Sequence, residues 1–251
     1  MTDPLERPLE GKAAIVTGAA TGLGARISVG LASRGASVIV NHLPEQAAAA
    51  AEVVAQAAQE GGKAVAIPAD IGDTEQLGSL FRAAADQFGG TDILVNNAVR
   101  PILKPMDEAT EEEFDASFRV NARAPFFAMQ LAARHMRDGG RVINISSHTT
   151  GLFFPRYGLY DGAKGALEQF SRVFSKEIGH RGITVNVVSP GPTDTPEFRS
   201  RPPEFIASLE RMTAFGRIGR PDEIVSVVAF LASPEAGWVT GQNIRVNGGV
   251  V

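Results

Sequence analysis

Two kinds of segment alternate along the chain, and each has its own pattern of apolar and polar positions. Short apolar runs predict buried parallel strands, because a strand that is covered on both faces carries no polar side. These runs lie at 13–16, 37–41, 64–68, 92–96, 141–146, 183–188 and 243–246. Longer stretches with helical spacing lie between them, near 23–34, 45–60, 74–88, 111–136, 160–178 and 221–232. The alternation predicts an α/β fold, a doubly wound parallel sheet of about seven strands with helices on both faces.

The spacing of these elements leaves no room for a second domain. A length of 251 residues suits one α/β domain over 1–251, and no linker or internal repeat interrupts it. One irregular segment, about 190–220, is rich in proline. Loops of this length often close over a binding site, so we expect short helices and a mobile lid there.

A glycine-rich turn joins the first predicted strand to the first predicted helix. It follows the pattern Gly-x-x-x-Gly-x-Gly and runs through Thr17, Gly18, Thr21, Gly22, Leu23 and Gly24. Strand, glycine turn and helix in this order are typical of a dinucleotide-binding (Rossmann) unit, in which the backbone and the helix N-terminus face the pyrophosphate. An ordinary tight turn would also accept these glycines, and the spacing differs from the commoner Gly-x-Gly-x-x-Gly fingerprint.

A second pattern, later in the chain, indicates acid–base chemistry. Tyr160 and Lys164 are four residues apart in a predicted helix, which puts both on one face with Cβ atoms roughly 5–6 Å apart. An ammonium group at that distance favours the phenolate form of tyrosine, whose unperturbed pKa is about 10. Ser147 lies thirteen residues before Tyr160, and its hydroxyl could donate to the same substrate oxygen. A packed tyrosine beside a solvated lysine would show the same spacing.

In their order along the chain, these motifs resemble the short-chain dehydrogenase/reductase family, in its single-domain branch. The resemblance covers roughly 10–251 and is nearest to the 3-oxoacyl-acyl-carrier-protein-reductase-like group. The matching positions are the glycine turn, Asn96-Asn97-Ala98, Asn121, Ser147, Tyr160, Lys164, and the Pro190-Gly191 turn with Thr195. Val99 departs from the family pattern, which has glycine there, and it is tolerable only with a negative φ.

The resemblance implies a function and a set of site residues. The function is that of an NAD(P)-dependent oxidoreductase, which transfers a hydride between a nicotinamide cofactor and a carbonyl or secondary alcohol, with Tyr160 as general acid or base. The implied catalytic residues are Asn121, Ser147, Tyr160 and Lys164. The implied cofactor-binding residues are Thr17, Gly18, Thr21, Gly22, Leu23, Gly24, Asn41, His42, Asp70, Ile71, Asn97, Ala98, Tyr160, Lys164, Pro190, Gly191, Thr193 and Thr195.

Two other functions stay open on the sequence alone. One is a non-catalytic nicotinamide-binding regulator or sensor on the same fold, although a sensor would not need Ser147, Tyr160 and Lys164. The other is a lyase or epimerase, although such relatives usually have longer chains and other glycine spacing. A group of residues that flanks the chemistry suits either a substrate pocket or a subunit contact: Arg100, His148, Phe153, Phe154 and Tyr157.

The end of the second predicted strand bears on the choice of cofactor. NAD-specific members place an acidic residue about there to hold the 2′-hydroxyl of the adenine ribose, and a carboxylate repels a 2′-phosphate. This chain has Asn41 and His42 instead, and no carboxylate before Glu45. Both side chains offer donors to a phosphate, so NADP is the predicted preference, with NAD as the alternative.

Composition and charge argue against several other classes. A net charge of −4 gives no reason to expect nucleic acid or an anionic membrane as a partner. The chain has no cysteine, and its four histidines show no metal-ligand spacing, so no metal site is expected. The N-terminus has no apolar signal segment, and no apolar run approaches the ~20 residues of a membrane helix, so we expect a cytoplasmic protein.

The predicted partners are a small-molecule carbonyl or alcohol substrate and further copies of the chain. Members of the resembled family commonly pair through two long helices and the C-terminal strand. Here the stretches 111–136 and 160–178 carry more large apolar side chains than one sheet face needs, among them Phe114, Phe118, Phe126, Phe127, Phe170 and Phe174. We therefore expect a homotetramer, with a dimer as the alternative.

Overall fold

One seven-stranded sheet organises the molecule, which is described here over residues 7–251 of a computed structural model. The prediction that no signal segment is present rests mainly on residues 1–6, which lie outside this range. The strands, all parallel, are β1 (Ala13–Val16), β2 (Ser37–His42), β3 (Lys63–Pro68), β4 (Thr91–Asn96), β5 (Met136–Ile145), β6 (Thr184–Pro190) and β7 (Asn243–Val246). The predicted doubly wound sheet of about seven strands is confirmed.

The strand order determines where a ligand can bind. It runs β3-β2-β1-β4-β5-β6-β7, so the chain builds outward from β1 in one direction and then returns to add β4 on its other side. In open sheets of this kind a crevice forms at the carboxyl ends of the strands where the order reverses. That point lies between β1 and β4, whose register pairs Val16 with Val95. The glycine-rich turn after β1 and Asn97-Ala98 after β4 therefore adjoin each other.

Helices cover both faces of the sheet. Within the described residues they are α1 (Gly22–Ala32), α2 (Ala47–Gln59), α3 (Thr74–Phe88), α4 (Glu111–Phe118), α5 (Ala124–His135), α6 (Gly158–Ile178), α7 (Pro196–Arg199), α8 (Pro203–Met212) and α9 (Pro221–Ala232). One apolar core packs α1, α2 and α9 against one face of the sheet, and a second packs α3, α5 and α6 against the other. No helix among residues 7–251 is long and apolar enough to cross a membrane.

The single helix predicted over 111–136 is wrong, because a π-helical turn, Arg119–Arg123, separates α4 from α5. Pro125 has no N–H to give to the carbonyl of Asn121, four residues earlier, and its ring crowds that carbonyl. The Asn121 side chain also donates to the Ser117 carbonyl at 2.9 Å, which competes with the regular helical ladder. Asn121 therefore lies where the helix is interrupted.

Candidate active site

A cleft of about 940 Å³ opens at the carboxyl ends of the strands. It is lined by every residue predicted for catalysis or cofactor binding except Thr17 and Asn121, which lie buried beneath its wall. The alternation of strands and helices is the reason, because it delivers each loop that follows a strand to the same edge of the sheet.

The glycine-rich turn forms one wall of the cleft, and each of its glycines is needed for a separate reason. Gly18 and Gly22 have positive φ values of 59° and 57°, which side chains rarely adopt. A Cβ on Gly18 would lie 2.7 Å from the Ala98 Cα, whereas a Cβ on Gly22 would meet no protein atom and would project into open space. A Cβ on Gly24 would collide with the Gly18 carbonyl and the Asn97 amide. The turn thus keeps bare backbone facing the cleft at the start of α1.

Buried polar side chains tie this turn to the neighbouring strands. The Thr17 hydroxyl accepts hydrogen bonds from the backbone N–H groups of Asn97 (3.0 Å) and Ala98 (3.2 Å). The Asn97 amide donates to the Thr17 and Gly18 carbonyls, both at 3.0 Å. One residue earlier, at the end of β4, the buried Asn96 donates to Asn144 on β5 at 2.7 Å and so bridges the two strands. Thr17 therefore positions the glycine-rich turn from beneath the cleft wall and does not itself line the cleft.

Asn41 corrects one expectation about the cofactor. Its amide nitrogen donates to the Ala69 carbonyl at 2.9 Å, and its amide oxygen accepts from the Gly18 N–H at 3.1 Å. Both ends of the side chain are thus engaged in holding the glycine-rich turn against β2 and β3. Asn41 has a structural role in place of the predicted donation to a cofactor phosphate.

The next positions form the end of the cleft away from Tyr160. The Nδ1 atom of His42 lies 2.8 Å from the Leu43 carbonyl, which can only accept, so this nitrogen carries a proton and Nε2 is left for the cleft. Asp70 and Ile71 also line this end. The Asp70 carboxylate accepts from the Gly72 N–H at 2.9 Å and pairs with Arg119 at 2.7 Å.

Ser147, Tyr160 and Lys164 come together at the opposite end of the cleft. Ser147 follows β5, and the two other residues lie on one face of α6, with the Lys164 ammonium 5.9 Å from the centre of the Tyr160 ring. Lys164 is almost wholly buried and donates to the Ile145 carbonyl at 2.7 Å. Ser146, the preceding residue, donates instead to Glu168 at 2.6 Å. The prediction of Ser147 as the serine of the site agrees with this arrangement.

Burial controls the protonation of this cluster. It raises the pKa of Tyr160 to about 12, and the Ser147 side chain offsets part of that rise. It also lowers the pKa of Lys164 to about 8, against the opposing charge of Glu168. The prediction that Lys164 favours the phenolate is therefore wrong for this structure. Desolvation of the phenolate outweighs the attraction of an ammonium group that is held against the Ile145 carbonyl.

A chain of hydrogen bonds leads away from Ser147 into α6. The Ser147 hydroxyl lies 2.7 Å from the Thr149 hydroxyl, and Thr149 donates to the Asp161 carboxylate at 2.5 Å. The Thr149 N–H also donates to the Ser147 hydroxyl at 3.2 Å. Burial raises the pKa of Asp161, and its bond from Thr149 lowers it in part. These contacts hold the Ser147 side chain in place, and no motif indicated Thr149 or Asp161.

Asn121 acts on the cleft through the loop after β4. Its amide donates to the Arg100 carbonyl at 2.8 Å, and its amide oxygen accepts from the Arg100 N–H at 3.1 Å. The loop that carries Val99 is thereby held to the π-helical turn. Val99 does not have a positive φ, which is the condition under which a valine can replace the family glycine. Its side chain is exposed in the cleft.

The turn after β6 completes the wall next to Tyr160. Pro190, Gly191, Thr193 and Thr195 all line the cleft. The Thr195 hydroxyl accepts from the Phe198 N–H at 3.2 Å, so its own proton is left for a ligand. The Thr193 hydroxyl donates to the Gly191 carbonyl at 2.8 Å. The geometry favours Thr195 over Thr193 as a donor to a ligand.

The residues that flank the chemistry could line a substrate pocket or form a subunit contact, and the structure separates them. Arg100, His148, Phe154 and Tyr157 line the cleft, whereas Phe153 is fully exposed outside it. A substrate-pocket role is therefore wrong for Phe153. His148 donates through Nδ1 to the Pro190 carbonyl at 2.9 Å, and burial lowers its pKa. The cleft also includes residues that no motif indicated: Leu103, Arg156, Phe198, Arg201, Phe205 and Leu209.

Comparisons with known proteins agree with this geometry. A family model described as enoyl-(acyl carrier protein) reductase matches residues 18–251. The short chain dehydrogenase/reductase AacuN of Aspergillus aculeatus is 42% identical over 254 residues, 96% of each chain. The hydroxynaphthalene reductase-like protein Arp2 of Metarhizium guizhouense is 41% identical over 259 residues, 98% of this chain and 97% of that protein.

The same agreement extends to solved structures. The crystal structure of the angucycline C-6 ketoreductase LanV with bound NADP superposes with a TM-score of 0.91 at 42% identity, over 97% of this chain and 96% of that one. The chain belongs to the short-chain dehydrogenase/reductase family. The predicted family, the fold and the class of enzyme are confirmed: a nicotinamide-dependent oxidoreductase that acts on carbonyl or alcohol groups.

Proposed function

We propose that this protein reduces a carbonyl group reversibly to a secondary alcohol, with Tyr160 as general acid and base and with NADP(H) as the preferred cofactor. One observation carries the proposal: Tyr160, Ser147 and Lys164 line the same cleft as the glycine-rich turn. Acid–base groups and bare backbone at a helix N-terminus thus face one space. In this proposal 1–251 is one dinucleotide-binding and catalytic domain, and the cytoplasmic location stays a prediction.

The residues around the glycine-rich turn fit a dinucleotide. An added Cβ on Gly22 would enter open space, which is the room that a pyrophosphate needs beside the N-terminus of α1. Asp70 and Ile71 would border the adenine, Asn97 and Ala98 the ribose side, and Thr195 the nicotinamide end. When bound, a nicotinamide cofactor supplies or accepts the hydride, and the protein supplies orientation and electrostatics.

The proton steps belong to the side chains at the other end of the cleft. In reduction, Tyr160 donates its phenolic proton to the carbonyl oxygen of the substrate. Ser147 hydrogen-bonds the same oxygen as negative charge develops there, a preorganised stabilisation. Lys164 would hold the nicotinamide ribose, and its ammonium group lies 5.9 Å from the centre of the Tyr160 ring. In this proposal Asn121 would hold a water that connects Lys164 to solvent, and the proton of Tyr160 would be restored along that path.

The preference for NADP rests on the end of β2 and on a relative. LanV has been solved with NADP. In this chain no carboxylate follows β2 in the cleft, and His42 presents Nε2 there. The neutral ring has its proton on Nδ1, so Nε2 donates to a 2′-phosphate only when the ring is protonated. That form also adds a positive charge beside the phosphate.

The proline-rich segment serves as the lid in this proposal. Its helices α7 and α8 bring Phe198, Phe205 and Leu209 to the cleft, next to the predicted chemistry. A lid at this position excludes water from the transferring hydride and proton, which strengthens each electrostatic contact inside.

We also propose a homotetramer. Phe114 is 46% exposed and stacks on Phe118 at 4.3 Å, while Phe126 is 43% exposed and packs edge-on against Phe170 at 5.2 Å. These two pairs of rings on α4, α5 and α6, the aromatic face, would leave apolar surface in water in a monomer. Exposed apolar surface of this kind is typical of protein interfaces.

A ketone and alcohol screen with both cofactors tests the proposed reaction. Relatives named for a hydroxynaphthalene and for an angucycline make bicyclic aromatic ketones, such as tetralones, the first choice. We expect ketone-dependent oxidation of NADPH, slower oxidation of NADH, and the reverse reaction with the matching alcohol. Tight cofactor binding without turnover of any ketone or alcohol would contradict the proposal and favour a regulator on this fold.

A further inference from the structure

Positive charge collects at the Tyr160 end of the cleft. Three arginines line it there, Arg100, Arg156 and Arg201. Carboxylates are fewer and do not neutralise them. The Glu197 side chain is exposed, and Asp70 lies at the other end and is paired with Arg119. A substrate that enters this end therefore meets an excess of cationic groups.

Arg201, between α7 and α8, is the most constrained of these cations. Its guanidinium lies 5.7 Å from the centre of the Phe198 ring and 5.5 Å from the centre of the Phe205 ring, within the range of cation–π attraction. Both rings also line the cleft. The Arg201 side chain is only partly exposed, so the two rings hold it in a restricted position at the wall of the cleft.

No protein group uses the N–H donors of Arg201. Its side chain forms no hydrogen bond and no ion pair with any residue in the range 7–251. In contrast, Arg199, two residues earlier, makes two bonds to Asp194, at 2.5 and 2.8 Å. The charge of Arg201 also lowers the pKa of Tyr160 in part, which puts the guanidinium near the reacting end of the cleft. A restricted, unpaired guanidinium at that place is suited to bind an anion.

We propose that Arg201 binds a carboxylate of the substrate, so that this enzyme acts on an apolar ketone or alcohol that carries an acid group. This inference rests on the proposed carbonyl reduction and specifies its substrate class. The planar fork of a guanidinium matches a carboxylate with two parallel hydrogen bonds. Apolar side chains also line this part of the cleft and would surround the rest of the substrate: Phe154, Tyr157, Phe205 and Leu209.

The test compares ketones that differ only in the acid group. Suitable pairs are the meta and para forms of acetylbenzoic acid with the corresponding acetylbenzamides, and benzoylpropanoic acid with its amide. In the wild type, kcat/KM should favour at least one acid over its amide by about ten- to a hundredfold. Arg201→Gln should remove most of this ratio through KM for the acid, and Arg201→Lys should restore part of it. Arg211→Gln, an exposed arginine on α8 outside the cleft, is the matched control and should keep the ratio.

The outcomes separate this inference from the proposed reaction. Equal use of acids and amides by the wild type, or an unchanged ratio in Arg201→Gln, overturns the acid-group assignment while the carbonyl reduction stands. An increase of KM for NADPH in Arg201→Gln, with the acid-to-amide ratio unchanged, also overturns it, because Arg201 would then bind a cofactor phosphate. Failure of the wild type to turn over any ketone contradicts both proposals.

Discussion

Desolvation governs the two ionisable side chains at the centre of the cleft. Burial raises the pKa of Tyr160 to about 12 and lowers the pKa of Lys164 to about 8. Both shifts favour the neutral form, because desolvation outweighs the attraction of the charges around these two groups. Tyr160 therefore keeps its proton through the neutral range, which suits a donor to a carbonyl. Alcohol oxidation needs the phenolate, so its rate should rise with pH.

Because the chain has only two tyrosines, the raised pKa of Tyr160 can be measured. The phenolate absorbance of the wild type minus that of Tyr160→Phe isolates Tyr160 from Tyr157. Without cofactor, we expect no phenolate from Tyr160 up to about pH 10, because its pKa is raised to about 12. The oxidised cofactor carries a positive charge on its nicotinamide and should move the ionisation to lower pH. Ionisation of Tyr160 below about pH 9 in the cofactor-free protein would contradict the account.

The hydroxyl chain from Ser147 to Asp161 leads to a second prediction at this scale. Thr149→Val keeps the shape of the side chain but removes the bond at 2.7 Å to Ser147. We expect kcat to fall about two- to tenfold, which corresponds to the net free energy of one hydrogen bond, with cofactor affinity unchanged. The same substitution in a Ser147→Ala background should cause no further loss. If the two substitutions lowered kcat by independent factors that multiply in the double variant, Thr149 would not act through Ser147.

At the scale of elements, the strands were predictable because continuous burial leaves a continuous apolar run. The break between α4 and α5 was not, since the apolar periodicity passes through 119–123 without interruption. Pro125 was the available signal, as it deprives the Asn121 carbonyl of its helical partner. The place of the glycine-rich turn, Asn97, Ser147 and the Pro190-Gly191 turn in the cleft was predictable because each follows a strand end. For Tyr160 and Lys164 the signal was a spacing of four residues, which puts both on one helix face. Thr149, Asp161 and Arg201 were not predictable, because their roles depend on contacts between separate elements.

The end of β2 leads to a prediction about the choice between NADPH and NADH. In His42→Asp, a carboxylate would repel a 2′-phosphate and accept from the ribose 2′-hydroxyl that NAD has instead. The ratio of kcat/KM for NADPH over NADH should fall at least about tenfold, measured with one ketone. His42→Asn, which removes the ring without adding charge, should cause a smaller decrease. A wild-type ratio in favour of NADH, or the same ratio in His42→Asp, would be inconsistent with this assignment.

At the scale of the whole molecule, the proposed tetramer rests on the aromatic face on α4, α5 and α6. Sedimentation velocity at micromolar concentration should give a species of four 26.5 kDa chains. Phe126→Asp places a charge on the face at a side chain that is 43% exposed, so the fold should tolerate it while the assembly dissociates. Phe153→Asp, fully exposed and outside these helices, is the control and should leave the assembly unchanged. A monomeric wild type would refute the proposed tetramer.

The central claim is that Tyr160 moves the proton, and Tyr160→Phe tests it most directly. The substitution removes one hydroxyl and leaves the ring, its packing and Lys164 in place. With a ketone that the wild type reduces, kcat should fall by about 10²–10⁴, the usual loss of a general acid, while the Kd for NADPH changes less than about twofold. Retention of more than about a tenth of the wild-type kcat, with the same thermal unfolding temperature, would contradict the account.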